Sequence, residues 1–218
     1  MIDIIIPVLN EETILLEKKD YYLDLGHKAQ IIFIDGGSHD RTVEIATNYG
    51  KVYHARPGRA IQKNVGIENS RSEFLMFLHV DTFINLNNLD VVEKMLNDGF
   101  LGGCFTMSIN DDNAIFRFFE GIINFRSQVF KIIDGDLGLF VRRDVLLKIG
   151  NFDLVPYMDD IIFSRKLKKE GRVIALPQII SVSSRKWYEC GFTKTFFKYS
   201  AAYFELWTGL LFFRKCPS

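Results

Sequence analysis

The chain has 218 residues, 48% hydrophobic and 25% charged, proportions of an ordinary globular protein that exclude a long disordered chain. Its 27 Lys and Arg offset 27 Asp and Glu, so it lacks the basic excess that draws a protein to nucleic acid, and any anionic ligand must be held locally. The three cysteines, Cys104, Cys190 and Cys216, are too few and too scattered for a disulfide framework or a zinc knuckle, which fits a reducing cytoplasm.

The first residues, Met1-Ile2-Asp3-Ile4-Ile5-Ile6-Pro7, lack the basic start and small-residue cleavage site of a secretory signal and read as the first strand. Four apolar runs are predicted as strands: Ile2 to Ile6, Gln30 to Ile34, Lys51 to His54 and Phe74 to Leu78. Each stops at a polar or glycine-containing cluster, and helix-compatible segments follow several of them, the pattern of βα units in a parallel sheet. The clusters are Asn10-Glu11-Glu12, Asp35-Gly36-Gly37-Ser38, Pro57-Gly58-Arg59 and His79-Val80-Asp81. In an open α/β sheet ligands bind at such carboxyl ends.

The second half is less regular. It carries an apolar stretch from Gly102 to Ile109, a helix from Ala114 to about Lys131, and Gly138-Leu139-Phe140-Val141 leading into Arg142-Arg143-Asp144. Mixed strand pairing fits that region. Asp159 to Glu170 reads as a helix, with acids at its start, Lys166, Lys168 and Lys169 near its end and Gly171 beyond, and Val173 to Leu176 as a further strand. No internal repeat or linker justifies a domain cut. The aromatic stretch from Phe196 to Phe213 is interrupted by Lys198 and Glu205 and cannot supply the ~20 apolar residues of a spanning helix. It suits packing on the core or on a second copy of the chain, with peripheral contact to an anionic membrane surface as the alternative.

Three clusters can carry chemistry. The loop from Asp35 to Thr42 lets glycines bring backbone amides to a ligand while Asp35 meets a base or ribose, or else Asp35 is a turn residue with Ser38 or Asp40 as a helix cap. The chain has neither G-x-G-x-x-G after a strand nor G-x-x-x-x-G-K-[ST], which removes the usual supports for hydride transfer and ATP hydrolysis. His79 and Asp81, two apart after a buried strand, share a side and can hold a divalent ion against a diphosphate, or else serve a turn. Asp159-Asp160 at a helix start can supply a general base, or simply complement the helix dipole.

Taken together and in order, these clusters resemble a family 2 glycosyltransferase of GT-A fold, in a compact bacterial subgroup. The resemblance runs through Ile4 to Glu12, Ile34 to Thr42, Gly58-Arg59-Ala60-Ile61-Gln62-Lys63-Asn64 and Leu78-His79-Val80-Asp81-Thr82. It continues through Gly135 to Arg143, Gly150-Asn151-Phe152, Met158 to Leu167 and Ser183-Ser184-Arg185-Lys186-Trp187. It implies an α/β fold with a Rossmann-like, mostly parallel central sheet flanked by helices and a mixed C-terminal half. One domain spans 1–218, with a nucleotide-binding half (1–100), an acceptor-side half (101–190) and an aromatic helical extension (191–218).

The resemblance also implies roles. Pro7, Asn10, Glu12, Asp35 and Arg59 would line the nucleotide site, and Asp81 would bind Mn²⁺ or Mg²⁺ on the donor diphosphate. His79 replaces the first carboxylate of the family's D-x-D. Asp160 would be the general base, with Asp159 the shortened member of the family's Glu-Asp pair. Asp136 would lie on the acceptor side in a Gly-Asp-Gln type motif whose Gln is Leu137, and Arg185 and Trp187 would form a reduced Arg-Trp motif near the acceptor. The implied activity is inverting transfer from a nucleotide-sugar donor to a carbohydrate or lipid-linked acceptor, at the cytoplasmic side, with no nucleic-acid partner and room for a homodimer. The alternatives are a non-catalytic nucleotide-sugar-binding module and a sugar-phosphate nucleotidyltransferase.

Overall fold

The computed structural model describes residues 1–185 and Tyr188. The aromatic segment predicted near the C-terminus, with Trp187, Cys190 and Cys216, lies outside the described residues.

The first four strands fall where the apolar runs put them: β1 (Ile2–Val8), β2 (Gln30–Asp35), β3 (Lys51–His54) and β4 (Phe74–Phe77). Between them lie α1 (Glu12–Glu17), α2 (Lys19–Lys28), α3 (Thr42–Ala46) and α4 (Arg59–Asn69). The second half adds β5 (Thr82–Ile84), α5 (Asn88–Asn97), β6 (Gly102–Ile109), α6 (Ala114–Phe130), a 3-10 turn at Gly135–Leu137, β7 (Phe140–Arg142), α7 (Arg143–Ile149), α8 (Asp159–Glu170) and β8 (Val173–Val182).

All eight strands form one sheet in the order β3-β2-β1-β4-β7-β6-β8-β5. β1 to β4 are mutually parallel, β7 runs antiparallel to both β4 and β6, and β6 pairs in parallel with β8. Alternate residues of the strands feed two cores. Ile4, Ile6, Phe33 and Met76 pack against α1, α2 and α5, while Ile5, Ile32, Leu75 and Phe77 pack against α4, α7 and α8. Strands buried on both faces read as continuous apolar runs, which is why β1 and β4 were legible without alternation.

Two elements depart from the sequence expectation. β8 runs through Pro177 to Val182, although the strand was expected to stop at Leu176. The register against β6 shifts between Cys104 and Thr106, and this irregularity absorbs the proline, while the Thr106 hydroxyl donates to the Leu176 carbonyl at 2.7 Å. The far end of β8 then pairs antiparallel with β5, a three-residue strand too short to announce itself, with Thr82 opposite Val182. Asp81 is thereby placed at the entrance to a paired strand.

Candidate functional site

The sheet opens between β1 and β4. Pairing of β1 with β2 continues to Val8 opposite Asp35, whereas pairing with β4 ends at Ile5 opposite Phe77. The strand order also reverses at this point, because β2 and β3 build outward on one side and β4 on the other. Such a switch point, at the carboxyl ends of parallel strands, is where open α/β sheets accept ligands.

One wall of the opening is the pair of loops after β1 and β2. Asp35 turns its buried carboxylate onto its own loop, accepting from the amides of Gly37 (3.0 Å) and Ser38 (3.1 Å) and from the Ser38 hydroxyl (2.5 Å). Burial pushes the Asp35 carboxyl up, but Ser38, the two amides and His54 outweigh it and hold the group below the usual carboxylate range. Asn10 adopts a left-handed backbone (φ 54°); its amide donates to Ser38 Oγ and its side-chain oxygen accepts from the His39 amide. Glu12 accepts from the Arg41 amide, and the Glu12 amide donates to Asp40. Gln62 on α4 completes this wall by donating to the carbonyls of Val8 (3.0 Å) and Ile34 (2.8 Å). Pro7, Asn10, Glu12 and Asp35 therefore share one edge, with Arg59 exposed at the first turn of α4 on the same rim.

Asp81 lies across the opening. The Tyr22 hydroxyl donates to the Val80 carbonyl at 2.6 Å, and the Ser183 amide donates to the Asp81 carbonyl at 3.3 Å. The Arg185 guanidinium pairs with Glu11 at 2.8 Å and stands 3.8 Å from the Asp81 carboxylate. It thus ties the loop after β1 to the segment after β8, on the rim that holds Asp81.

The third part is a buried charge cluster. The chain turns through a left-handed Met158 (φ 66°) into α8, whose first two residues are Asp159 and Asp160, 3% and 7% exposed. Between them lies Lys63 of α4, 1% exposed, whose ammonium is 2.9 Å from Asp159 Oδ2 and in contact with Asp160 Oδ1. α4 can come this close because Gly66 faces β1: a methyl group there would collide with Ile5. Burial and Asp159 push the Asp160 carboxyl above its ordinary value, against the opposing pull of Lys63 and His79. Burial lowers the Lys63 ammonium, yet Asp160 and Asp159 together raise it, so it stays protonated.

The 3-10 turn closes this side. A methyl group at Gly135 would run into Asp160 Oδ2 and the His79 Nε2 position, so the bare backbone of Gly135 fits between the two. His79, 8% exposed, has Nδ1 2.6 Å from Asp136 Oδ1, although neither ring nitrogen makes an aligned hydrogen bond among the described residues.

Sequence comparison agrees with this architecture. Residues 3–145 match the profile of Glycosyl transferase family 2. This chain belongs to that family. An uncharacterized glycosyltransferase of Haemophilus influenzae is 32% identical over a match covering 44% of this chain and 41% of that protein. Another, from Rickettsia typhi, is 31% identical, covering 44% of this chain and 32% of the other. The chain thus spans less than half the length of these curated relatives. Among solved structures, Staphylococcus aureus TarS 1-349 in complex with UDP superposes with a TM-score of 0.67 at 18% identity, covering 86% of this chain and 62% of that one. The mannosyltransferase PcManGT from Pyrobaculum calidifontis, in complex with GDP-Man and Mn²⁺, gives 0.64 at 20% identity, covering 83% and 56%. At these identities the likeness concerns the fold, and it is the GT-A fold.

In this family 2 chain the expected site residues within the described structure fall in three sets: Pro7, Asn10, Glu12, Asp35 and Arg59 at the ends of β1 and β2 and the start of α4; Asp81 with Arg185; and Asp159 and Asp160, with His79 and Asp136 paired beside Gly135. Lys63 and Gln62 were passed over. Lys63 had a signal: Ala60, Lys63 and Ile67 all fall on the buried face of α4, and a cation on an apolar helical stripe demands a buried anion. Among the described residues no group of three or more His, Cys, Asp or Glu side chains is arranged to hold a metal ion. A hard divalent cation on a diphosphate needs only one or two protein carboxylates, with the remaining positions filled by phosphate and water. Asp81 fits that share, while His79 has Asp136 at its Nδ1.

Proposed function

We propose that this chain transfers a sugar, with inversion, from a nucleoside-diphosphate donor to an acceptor hydroxyl. The observation that carries the reading is the buried Asp160, linked through Lys63 to α4, whose Gln62 holds the ends of β1 and β2, and neighboured by His79, two residues before Asp81. Asp35, Asn10 and Glu12 shape the loops that would take the base and ribose, and Arg59, exposed at the start of α4, would meet the phosphates. Asp81 would hold a divalent cation, which would supply neutralisation of the departing diphosphate. Asp160 accepts the proton of the attacking hydroxyl, and its raised carboxyl is better matched to that task than a solvated Asp. One displacement at the anomeric carbon inverts its configuration. Two structural neighbours were solved with UDP-GlcNAc and GDP-Man, which makes these the first donors to try.

α6 exposes Phe118, Ile122 and Phe125, and among the described residues no helix is long and apolar enough to cross a membrane. An apolar exposed face supports a lipid-linked acceptor or peripheral membrane contact, checked by flotation with anionic vesicles.

The deciding experiment is a thermal-shift screen of UDP, GDP, CDP and dTDP sugars with and without Mn²⁺, followed by chromatography of released nucleoside diphosphate. A donor that binds only the folded chain raises its melting temperature. Release of nucleoside diphosphate that disappears in Asp160→Asn supports transfer. Binding without any release, across acceptor mixtures, would leave a nucleotide-sugar-binding module instead.

A further inference from the structure

Lys63 is held from three sides. Its ammonium contacts Asp160 Oδ1 and lies 2.9 Å from Asp159 Oδ2. It also lies 4.7 Å from the centre of the Phe152 ring. That ring is fixed in turn: it stacks on Phe163 (4.5 Å, 25°) and meets Phe77 edge-on (4.9 Å, 80°). The next residue on α4, Asn64, exchanges two 3.0 Å hydrogen bonds with the Phe152 backbone. A long, flexible lysine is thereby reduced to one geometry.

The charges do not balance. Two buried carboxylates face one buried cation, so one negative charge is left over. Lys63 takes one oxygen from each acid, and the second oxygen of Asp160 faces Gly135, on the side where His79 Nε2 lies. The groups around Asp160 are Lys63 from α4, Asp159 from its own helix, His79 from the segment after β4, and beyond His79 the Asp136 carboxylate. A lysine that served only to fasten α4 to α8 would need one acid. This one holds both, occupying Oδ1 of Asp160 and leaving Oδ2 beside Gly135.

We propose that Lys63 is the positioning residue for Asp160, clamping Oδ1 so that Oδ2, beside Gly135, is the oxygen presented to the acceptor hydroxyl. The inference rests on the sugar-transfer reading above. It adds a residue, separated by 97 positions from the acid it orients, on which the activity of that acid depends. Removing the ammonium leaves two adjacent buried carboxylates, which cannot both remain ionised and so share a proton.

The test uses the full chain and a donor identified by thermal shift. Lys63→Met keeps the volume and removes the charge. The expected result is a fall of about 10²-fold or more in kcat, with the donor-induced thermal shift retained and the acid limb of the pH–kcat profile moved to higher pH. Lys63→Arg, which keeps the charge, restores part of the rate and brings the limb back towards its original position. Because Lys63→Met could fail to fold, Lys63→Met with Asp159→Asn provides a second arm that keeps the net charge of the cluster. If Lys63 positions Asp160, this double variant folds but stays at least about tenfold slow. Wild-type kcat and an unmoved limb in either variant would overturn the proposal. Asp160→Asn, run in parallel, separates the two claims: full turnover there takes down the transfer reading itself, whereas an inactive Asp160→Asn beside an active Lys63→Met rejects only the role of Lys63.

Discussion

The two walls of the opening are built by different physics. The wall around Asp35 is local: its carboxylate accepts from amides two and three residues ahead, and neighbouring loops exchange hydrogen bonds through Asn10, Glu12 and Asp40. The wall around Asp160 is assembled from a distance: Lys63 arrives from α4, His79 from beyond β4 and Gly135 from a 3-10 turn. Satisfied local hydrogen bonds make a rigid cradle, suited to recognising one ligand shape. A buried cluster with one unbalanced charge stores reactivity, because small changes in its surroundings alter which group carries the proton. On the proposed reading, binding belongs to the first wall and chemistry to the second.

Breaking that division begins with Asp160. Asp160→Asn should cost about 10²–10⁴-fold in turnover and leave the donor-induced thermal shift in place, measured by nucleoside diphosphate release and melting curves. Equal losses in binding and turnover would mean the walls do not divide the work. Gly135→Ala should follow, with a loss of about 10²-fold in kcat, since its methyl group must displace the Asp160 carboxylate or the His79 ring.

On the other wall the expected effect is on affinity and stability. Asp35→Ala strips the acceptor from the Gly37 and Ser38 amides and should destabilise the chain by about 1–3 kcal/mol in urea melts. Donor affinity should weaken while kcat at saturating donor stays near its original value.

The two acids also give opposite pH responses. Asp35 titrates below its unfolded value, so its contribution to stability is present above the ordinary carboxylate range and is lost as pH falls through the depressed value. Asp160 titrates above its unfolded value, so it weakens the fold as pH rises from the ordinary carboxylate range through the raised one. Melting curves from acid to neutral pH should therefore flatten above the ordinary range in Asp160→Asn, and lose part of their acid-side drop in Asp35→Asn.

The smallest effect is expected where the walls meet. The Arg185–Glu11 pair is partly exposed, and a double-mutant cycle with Arg185→Met and Glu11→Gln should yield a coupling of about 0.5–1 kcal/mol in stability. A coupling several times larger would show that the two walls act as one unit.

Much of the first wall was legible because its signals are contiguous. The run from Ile4 to Glu12 and the loop from Asp35 to Thr42 place apolar strand, turn and polar loop groups within a few residues, and the backbone can do little else with them. The same holds for α8, where acids open the helix, lysines close it and Gly171 follows. Where partners are far apart the reading thinned. Spacing shows that His79 and Asp81 share a side, but only the fold sets Nδ1 of the His79 ring beside Asp136, contributed by a turn more than fifty residues on. β5 escaped notice because a three-residue strand has no periodicity, and its pairing with β8 arises only once Pro177 is absorbed in an irregular register.

The order of residues along the chain settled the alternation of apolar runs and polar tips, and with it the parallel half-sheet and the rim formed by its carboxyl ends. Burial of contiguous β-branched and aromatic residues has few solutions, and local hydrogen bonding terminates each one. The pairing of Lys63 with Asp159 and Asp160 was decided by tertiary structure alone. Charges nearly a hundred residues apart have no preferred distance in an open chain, and they meet only when Gly66 lets α4 settle on β1 and the sheet brings α8 against it.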